Sequence, residues 1–223
     1  MKKNMLTVAL VFCAMVMFTG CPEPANVPSE TNEQTVTTPD GITVAVPIVT
    51  LPNLPASVGE DPFAGKTFRH ETEYVDGSIS YDDFIFASDG TVNRTQLGST
   101  YEYSYDGTKL YMRYKYLRWE DPVTGVIKEQ ATPQEYINLS SAYLAEHFYE
   151  DTSKEEMQKA YNDNKAECDE WSGGSTFEDY VEFYLQMHIK GSARMVGRLY
   201  EYTYTENSFT LGGGGYIYTL VEN

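Results

Sequence analysis

The chain of 223 residues carries only three cysteines and three histidines, and sets 16 basic residues against 33 acidic ones. Each shortage excludes something. Cys13 and Cys21 fall in or beside the first apolar run, so Cys168 has no partner for a disulfide framework, and with no C-x-x-C neighbour it is a small buried apolar residue. A three-histidine metal site would need His70, His147 and His188 together, and no H-E-x-x-H or paired-cysteine spacing supports one. A net charge of −17 repels nucleic acid and anionic lipid headgroups. No serine has a nucleophile-elbow context, and "GGGG" at 212–215 lacks the Lys-Ser/Thr and helix of a phosphate loop. The expectation is no catalytic residue, no metal and no cofactor.

The N-terminus has a membrane address. Lys2 and Lys3 precede an uncharged run from Met5 to Phe18, and Phe18-Thr19-Gly20-Cys21 follows. This is the build of a secretory signal peptide over 1–20, and its last four residues resemble the lipobox of bacterial lipoproteins. The resemblance implies that Cys21 takes the lipid, placing the protein in the bacterial cell envelope with a membrane as partner. Residues 21–61, rich in Pro, Thr, Ser, Asn and Glu and without an aromatic, read as a tether. Within it "ITVAVPIVTLPNLP" is punctuated by prolines and predicts an extended segment docked as an edge.

From residue 62 the grammar changes. Asp76-Gly77, Asp89-Gly90, Gly98-Ser99 and Asp106-Gly107 each separate runs rich in aromatic and β-branched residues, which predicts successive hairpins. Two-residue loops would place Phe68 opposite Ile85 and Tyr103 opposite Leu110; around Glu206-Asn207, Tyr204 meets Phe209. Around Asp89-Gly90 the register stays open, because Ser88 could join the turn. The expected strands are 66–75, 78–87, 91–97, 100–105, 108–119, 194–204, 208–211 and 216–221. They predict a mainly β fold, an eight-stranded antiparallel up-and-down barrel over 62–223. Thirteen of the 19 tyrosines fall in these strands. Between strands 5 and 6, residues 131–191 predict a three-helix insertion near 133–149, 154–170 and 176–190, with capping signals at "TPQE", "TSKEE" and "STFE" and Gly191 as the stop. This insertion holds 13 acids and 4 bases.

An early "FAGKTF", the "FIFASDGTV" hairpin and the repeated Tyr/Phe strands resemble lipocalin-like domains of bacterial lipoproteins. The resemblance implies a small apolar or amphipathic ligand inside the barrel, without catalysis. Extending the inner face along the strands collects Tyr81, Tyr101, Tyr103, Tyr114, Tyr116, Tyr200, Tyr202 and Tyr218, with His70, Asp83 and Arg198 among them. Many rings with a few polar groups suit a small-molecule site, making the chain a tethered carrier or sensor. The alternative is a filled barrel that contacts protein partners through the acidic helical insert.

Overall fold

A computed structural model describes residues 34–211 and 216–221. The signal peptide, Cys21 and the glycines at 212–215 lie outside the described residues. Eleven strands occur among them: β1 (Gln34–Thr37), β2 (Thr43–Val46), β3 (Thr67–Glu73), β4 (Ile79–Phe86), β5 (Thr91–Arg94), β6 (Ser99–Tyr105), β7 (Lys109–Glu120), β8 (Ile127–Ala131), β9 (Tyr200–Tyr204), β10 (Ser208–Leu211) and β11 (Ile217–Leu220). Strands β3, β4, β5, β6, β7, β9, β10 and β11 pair in that order, all antiparallel, and β11 returns to β3. The result is a closed eight-stranded barrel, which leaves its wall without a free edge.

The hairpins follow a repeated Asp-Gly-Ser/Thr pattern. In each, the aspartate Oδ1 accepts from the backbone N–H and hydroxyl two residues on, at Ser78, Thr91 and Thr108. At the first, Gly77 N donates to Tyr74 O, Tyr74 N donates to Ser78 O, and Gly77 has φ +80°. That is a type I turn followed by a left-handed glycine, a three-residue loop in place of the two-residue one expected. The register therefore moves by one: Phe68 faces Phe84, not Ile85, and every side chain of β4 changes face. Phe84 and Phe86 point into the barrel, whereas Ile79, Tyr81 and Ile85 are exposed. Ser88 does join the next turn, since Ala87 N donates to Thr91 O. Between β6 and β7 the register moves by two, to Tyr105 opposite Leu110 and Tyr103 opposite Met112. A shift of two preserves the faces. Tyr204 opposite Phe209 is as expected.

The helices differ from expectation in number and placement. They come after β8, which pairs with the far end of β7, so the insertion does not follow the fifth barrel strand directly. Among the described residues there are four: α1 (Pro133–Glu146), α2 (Lys154–Asp163), α3 (Lys165–Ser172) and α4 (Phe177–Val196). Thr132 with Glu135, Ser153 with Glu156 and Thr176 with Asp179 form complete capping boxes. The segment expected as one helix over 154–170 breaks at Asn164. Gly191 does not stop the last helix, which continues for five residues through the span expected as strand from 194; no Cβ is needed there, and the glycine keeps its N–H.

Residues 34–61 are not a bare tether. β1 and β2 form a separate hairpin whose Val36, Val44 and Val46 are buried. The hairpin packs against α1 and α4, and these valines share one buried cluster with Ile137 of α1 and Val181, Leu185 and Ile189 of α4. Gln134 and Gln186 tie this segment down by accepting from Val49 N at 2.7 Å and donating to Ala45 O at 3.1 Å. A shallow groove of about 370 Å³ between β1 and α1, bordered by Val36, Pro39 and Ala142, lies on this outer layer.

Candidate functional site

One end of the barrel is sealed. Phe63 is 1% exposed and lies within 6.1 Å, centroid to centroid, of Phe68, Phe86, Tyr103, Tyr105 and Tyr204. The turn that delivers it is set by Asp61, whose Oδ1 accepts from the N–H groups of Phe63 and Ala64 and whose Oδ2 accepts from the Tyr103 hydroxyl at 2.7 Å. Gly59 O accepts from Tyr105 at 3.2 Å. The middle of the barrel is packed as tightly. Phe68, Val92, Leu110, Met112 and Phe209 are 0% exposed, so none of them borders a space, inside or outside, that a water molecule could enter. Phe209 stacks on Tyr218 at 4.9 Å and meets Phe84 edge-on at 5.3 Å.

Toward the other end the interior turns polar. Asp82 on β4, 4% exposed, points inward next to Phe84. Its Oδ2 accepts from Arg94 Nε at 2.8 Å and from the Tyr218 hydroxyl at 3.0 Å, and lies 2.7 Å from Arg94 Nη2 in the same ion pair, while Nη2 donates to the Tyr218 hydroxyl at 3.4 Å. Its Oδ1 is buried and has no hydrogen-bond partner. Leaving a buried acceptor unmet costs about 1–3 kcal/mol, more for a charged group. Arg94 lies over the Phe84 ring at 5.3 Å and keeps 24% of its side chain exposed, so this network reaches solvent. Burial works to lower the Arg94 pKa, but the bond to Asp82 and the nearby tyrosine hydroxyls outweigh it and hold the guanidinium charged.

A tyrosine cluster continues from there. Tyr101 stacks on Tyr114 at 4.5 Å, and Tyr200 meets both edge-on at 6.4 and 5.7 Å. Burial pushes the Tyr101 phenol up to about 12, against the lowering influence of the Tyr114 hydroxyl and Arg94. Burial likewise raises Tyr114, Tyr200 and Tyr202, and takes Tyr218 to about 12. All five hydroxyls stay protonated at neutral pH.

Of the residues gathered from the sequence, Tyr101, Tyr103, Tyr114, Tyr202 and Tyr218 are buried in the core. Tyr103, however, belongs to the Phe63 end, where it bonds Asp61. Tyr200 is half-buried, and so is His70, whose Nδ1 is 2.9 Å from Ile217 O and whose ring meets Tyr216 and Tyr218. Tyr116 is half-buried beyond the irregularity in β7 pairing between Thr100 and Tyr101. Three residues do not line the interior. Tyr81 and Asp83 stand on the outer face, where Arg69 grips Asp83 through Nε and Nη2 at 2.7 and 2.8 Å and lies over the Tyr81 ring at 4.5 Å. Arg198 is exposed, 5.6 Å from the Tyr200 ring. The one-residue register change explains the first two: it brings Asp82 inward in place of Asp83.

Asp82 and Arg94 are therefore the members that sequence reasoning missed. A charged residue at an inner position is visible only once the register is known. A two-residue loop at Asp76-Gly77, by putting Ile85 on the inner face, would turn the large apolar Phe84 and Phe86 outward, and that conflict is the available signal.

Elsewhere, His147 Nδ1 is 2.6 Å from Glu150, and His188 packs on Tyr184 with its pKa lowered by burial. The Cys168 thiol is buried and pushed up, chiefly by desolvation and then by Glu167 and Asp169, the reverse of what a nucleophile needs. Among the described residues no group of His, Cys, Asp and Glu is arranged to hold a metal ion, and no helix is long and apolar enough to cross a membrane. Comparison with protein-family models, curated proteins and solved structures finds nothing that matches this chain.

Proposed function

We propose that the chain is a lipid-anchored, non-catalytic protein of the bacterial cell envelope that binds a small ligand at the Arg94 end of its barrel. The observation that carries this reading is Asp82, a buried carboxylate with one oxygen fully engaged and the other unmet, joined to solvent through Arg94. Rigid aromatic walls with a few convergent polar groups are what a small-molecule site requires. The closed eight-stranded barrel supports a lipocalin-like reading of the fold. A large apolar cargo in the middle of the barrel fits less well, because it would have to displace the packed rings of Phe68, Phe84 and Phe209. The ligand reading therefore moves from the whole interior to one end.

A second reading keeps the barrel as a scaffold and assigns contact to the acidic insert. It is favoured by exposed carboxylates such as Glu155, Asp163, Glu167 and Glu178 along α2, α3 and α4.

Native mass spectrometry of protein extracted from its own membranes, paired with the Arg94→Lys variant, separates the two. A small molecule should accompany the wild type and be lost from the variant. Neither form carrying one, together with no thermal shift from any small molecule in a broad panel, would leave only the contact role.

A further inference from the structure

We infer that the ligand class read at the Arg94 end is a neutral carbohydrate, recognised through adjacent hydroxyls; this rests on the binding reading above. The argument is one of complementarity. Asp82 Oδ1 is an acceptor without a donor. Arg94 has five N–H donors, and its hydrogen bonds to Asp82 and Tyr218 use those on Nε and Nη2. Because the guanidinium is planar, turning Nε and Nη2 toward the carboxylate turns Nη1 away from it. The end of the barrel thus offers an unmet acceptor and unspent donors on the two members of one ion pair, whose charges already cancel.

Each other class fails on one of these features. An apolar ligand would leave Oδ1 as unmet as before. A cation would meet the Arg94 guanidinium, which already occupies the same carboxylate. An anion would meet Asp82, in a protein whose net charge is −17. A neutral ligand with neighbouring hydroxyls satisfies both groups: one hydroxyl donates to Asp82 Oδ1, and the next accepts from Arg94. Ring faces for the C–H side of a sugar lie beside them. His70 is the direct cross-strand partner of Asp82. Tyr216, 55% exposed, stands edge-on to His70 at 5.0 Å, and Tyr200 is half-buried at the same end. Oδ1 itself is buried, and Arg94 and His70 are the partly exposed side chains next to Asp82 that a hydroxyl has to pass to reach it.

The test is calorimetric titration of the mature protein with N,N′-diacetylchitobiose and with cellobiose, alongside choline and the apolar dye anilinonaphthalene sulfonate. Saturable binding of at least one disaccharide is expected, weakened roughly tenfold or more by Arg94→Lys and by Asp82→Asn. Should Asp82→Asn fail to fold, His70→Ala, at a partly exposed position, should still weaken binding by several-fold. Binding of choline or the dye but neither sugar, abolished by Arg94→Lys, would overturn the carbohydrate assignment and leave a ligand site at this end. Disaccharide binding indifferent to Arg94→Lys and His70→Ala would overturn the placement. No saturable binding of any of the four probes would overturn the assignment and count against the binding reading itself.

Discussion

Tyr101 and Tyr114 face each other across β6 and β7 with their rings stacked, 4.5 Å between centroids and 29° between planes. The two are 2% and 9% exposed, so the contact is almost dry. Stacked aromatic pairs add about 0.5–1.5 kcal/mol beyond the area they bury. A double-mutant cycle with Tyr101→Leu and Tyr114→Leu, read by urea unfolding, should return a coupling energy in that range. Strict additivity would mean that the rings stack without contributing to stability.

Phe63 tests the sealed end. It precedes the first barrel strand and fills the axis between rings from β3, β4, β6 and β9. Removing a fully buried aromatic ring costs about 3–5 kcal/mol through lost burial and the cavity left behind. Phe63→Ala should lower the unfolding free energy by that amount, whereas Val58→Ala, on the same segment but 61% exposed, should change it little. Similar small effects at both positions would show that 58–64 is not a plug.

The proposed membrane anchor is a separate matter, since that proposal rests on Cys21 alone. Cys21→Ser should move the protein from the membrane fraction to the soluble one and abolish fatty-acid labelling. Retention of both after that change would remove the lipoprotein reading while leaving the barrel untouched.

The barrel could be read from the sequence because its signals are local: aromatic runs, Asp-Gly turns and capping boxes each act within a few residues. The inner lining could be read only where the turn geometry happened to preserve parity. Around Asp106 the register moved by two, so Tyr101, Tyr103 and Leu110 kept their face. Around Asp76 it moved by one, and Asp83 and Tyr81 were exchanged for Asp82 and Phe84. The same dipeptide served both hairpins; the three-residue loop is distinguished by its hydrogen bonds, Gly77 N to Tyr74 O and Tyr74 N to Ser78 O against Asp106 N to Lys109 O in the other, and no composition rule reports them. β1 and β2 were hidden for another reason. Short strands in a Pro- and Thr-rich stretch are held by α1 and α4, through contacts 85 and 141 residues apart in the chain, rather than by any pattern of their own.

Acid should loosen the outer wall at Asp83. The hydrogen bonds from Arg69 hold its carboxyl below the ordinary value, against a smaller opposing contribution from burial. A depressed folded pKa contributes stability that is fully present above the unfolded value of about 3.9 and lost as pH falls through the folded one. Melting temperatures of wild type and Asp83→Asn should differ most at neutral pH and converge below about pH 4. A constant gap across that range would show that the Arg69 pair does not couple to folding.

Alkali should act from inside the barrel, with the opposite sign. Tyr101 and Tyr218 are pushed up to about 12 by burial, and Tyr114, Tyr200 and Tyr202 are raised by the same cause. An unfolded tyrosine releases its proton near 10. Above that pH the folded chain binds more protons than the unfolded one, so stability falls as pH rises, and the loss grows until the folded values are reached. The interior phenolates should therefore form together with unfolding. Phenolate absorbance and near-ultraviolet circular dichroism, followed through one titration, should change in step for these residues. Tyr101→Phe removes one of the contributing protons, so the drop in melting temperature between about pH 9 and pH 11 should be smaller in the variant. Phenolate absorbance rising to completion near pH 10 while the dichroism is unchanged would mean that solvent reaches the Tyr101 cluster freely, and the packed interior described above would be wrong.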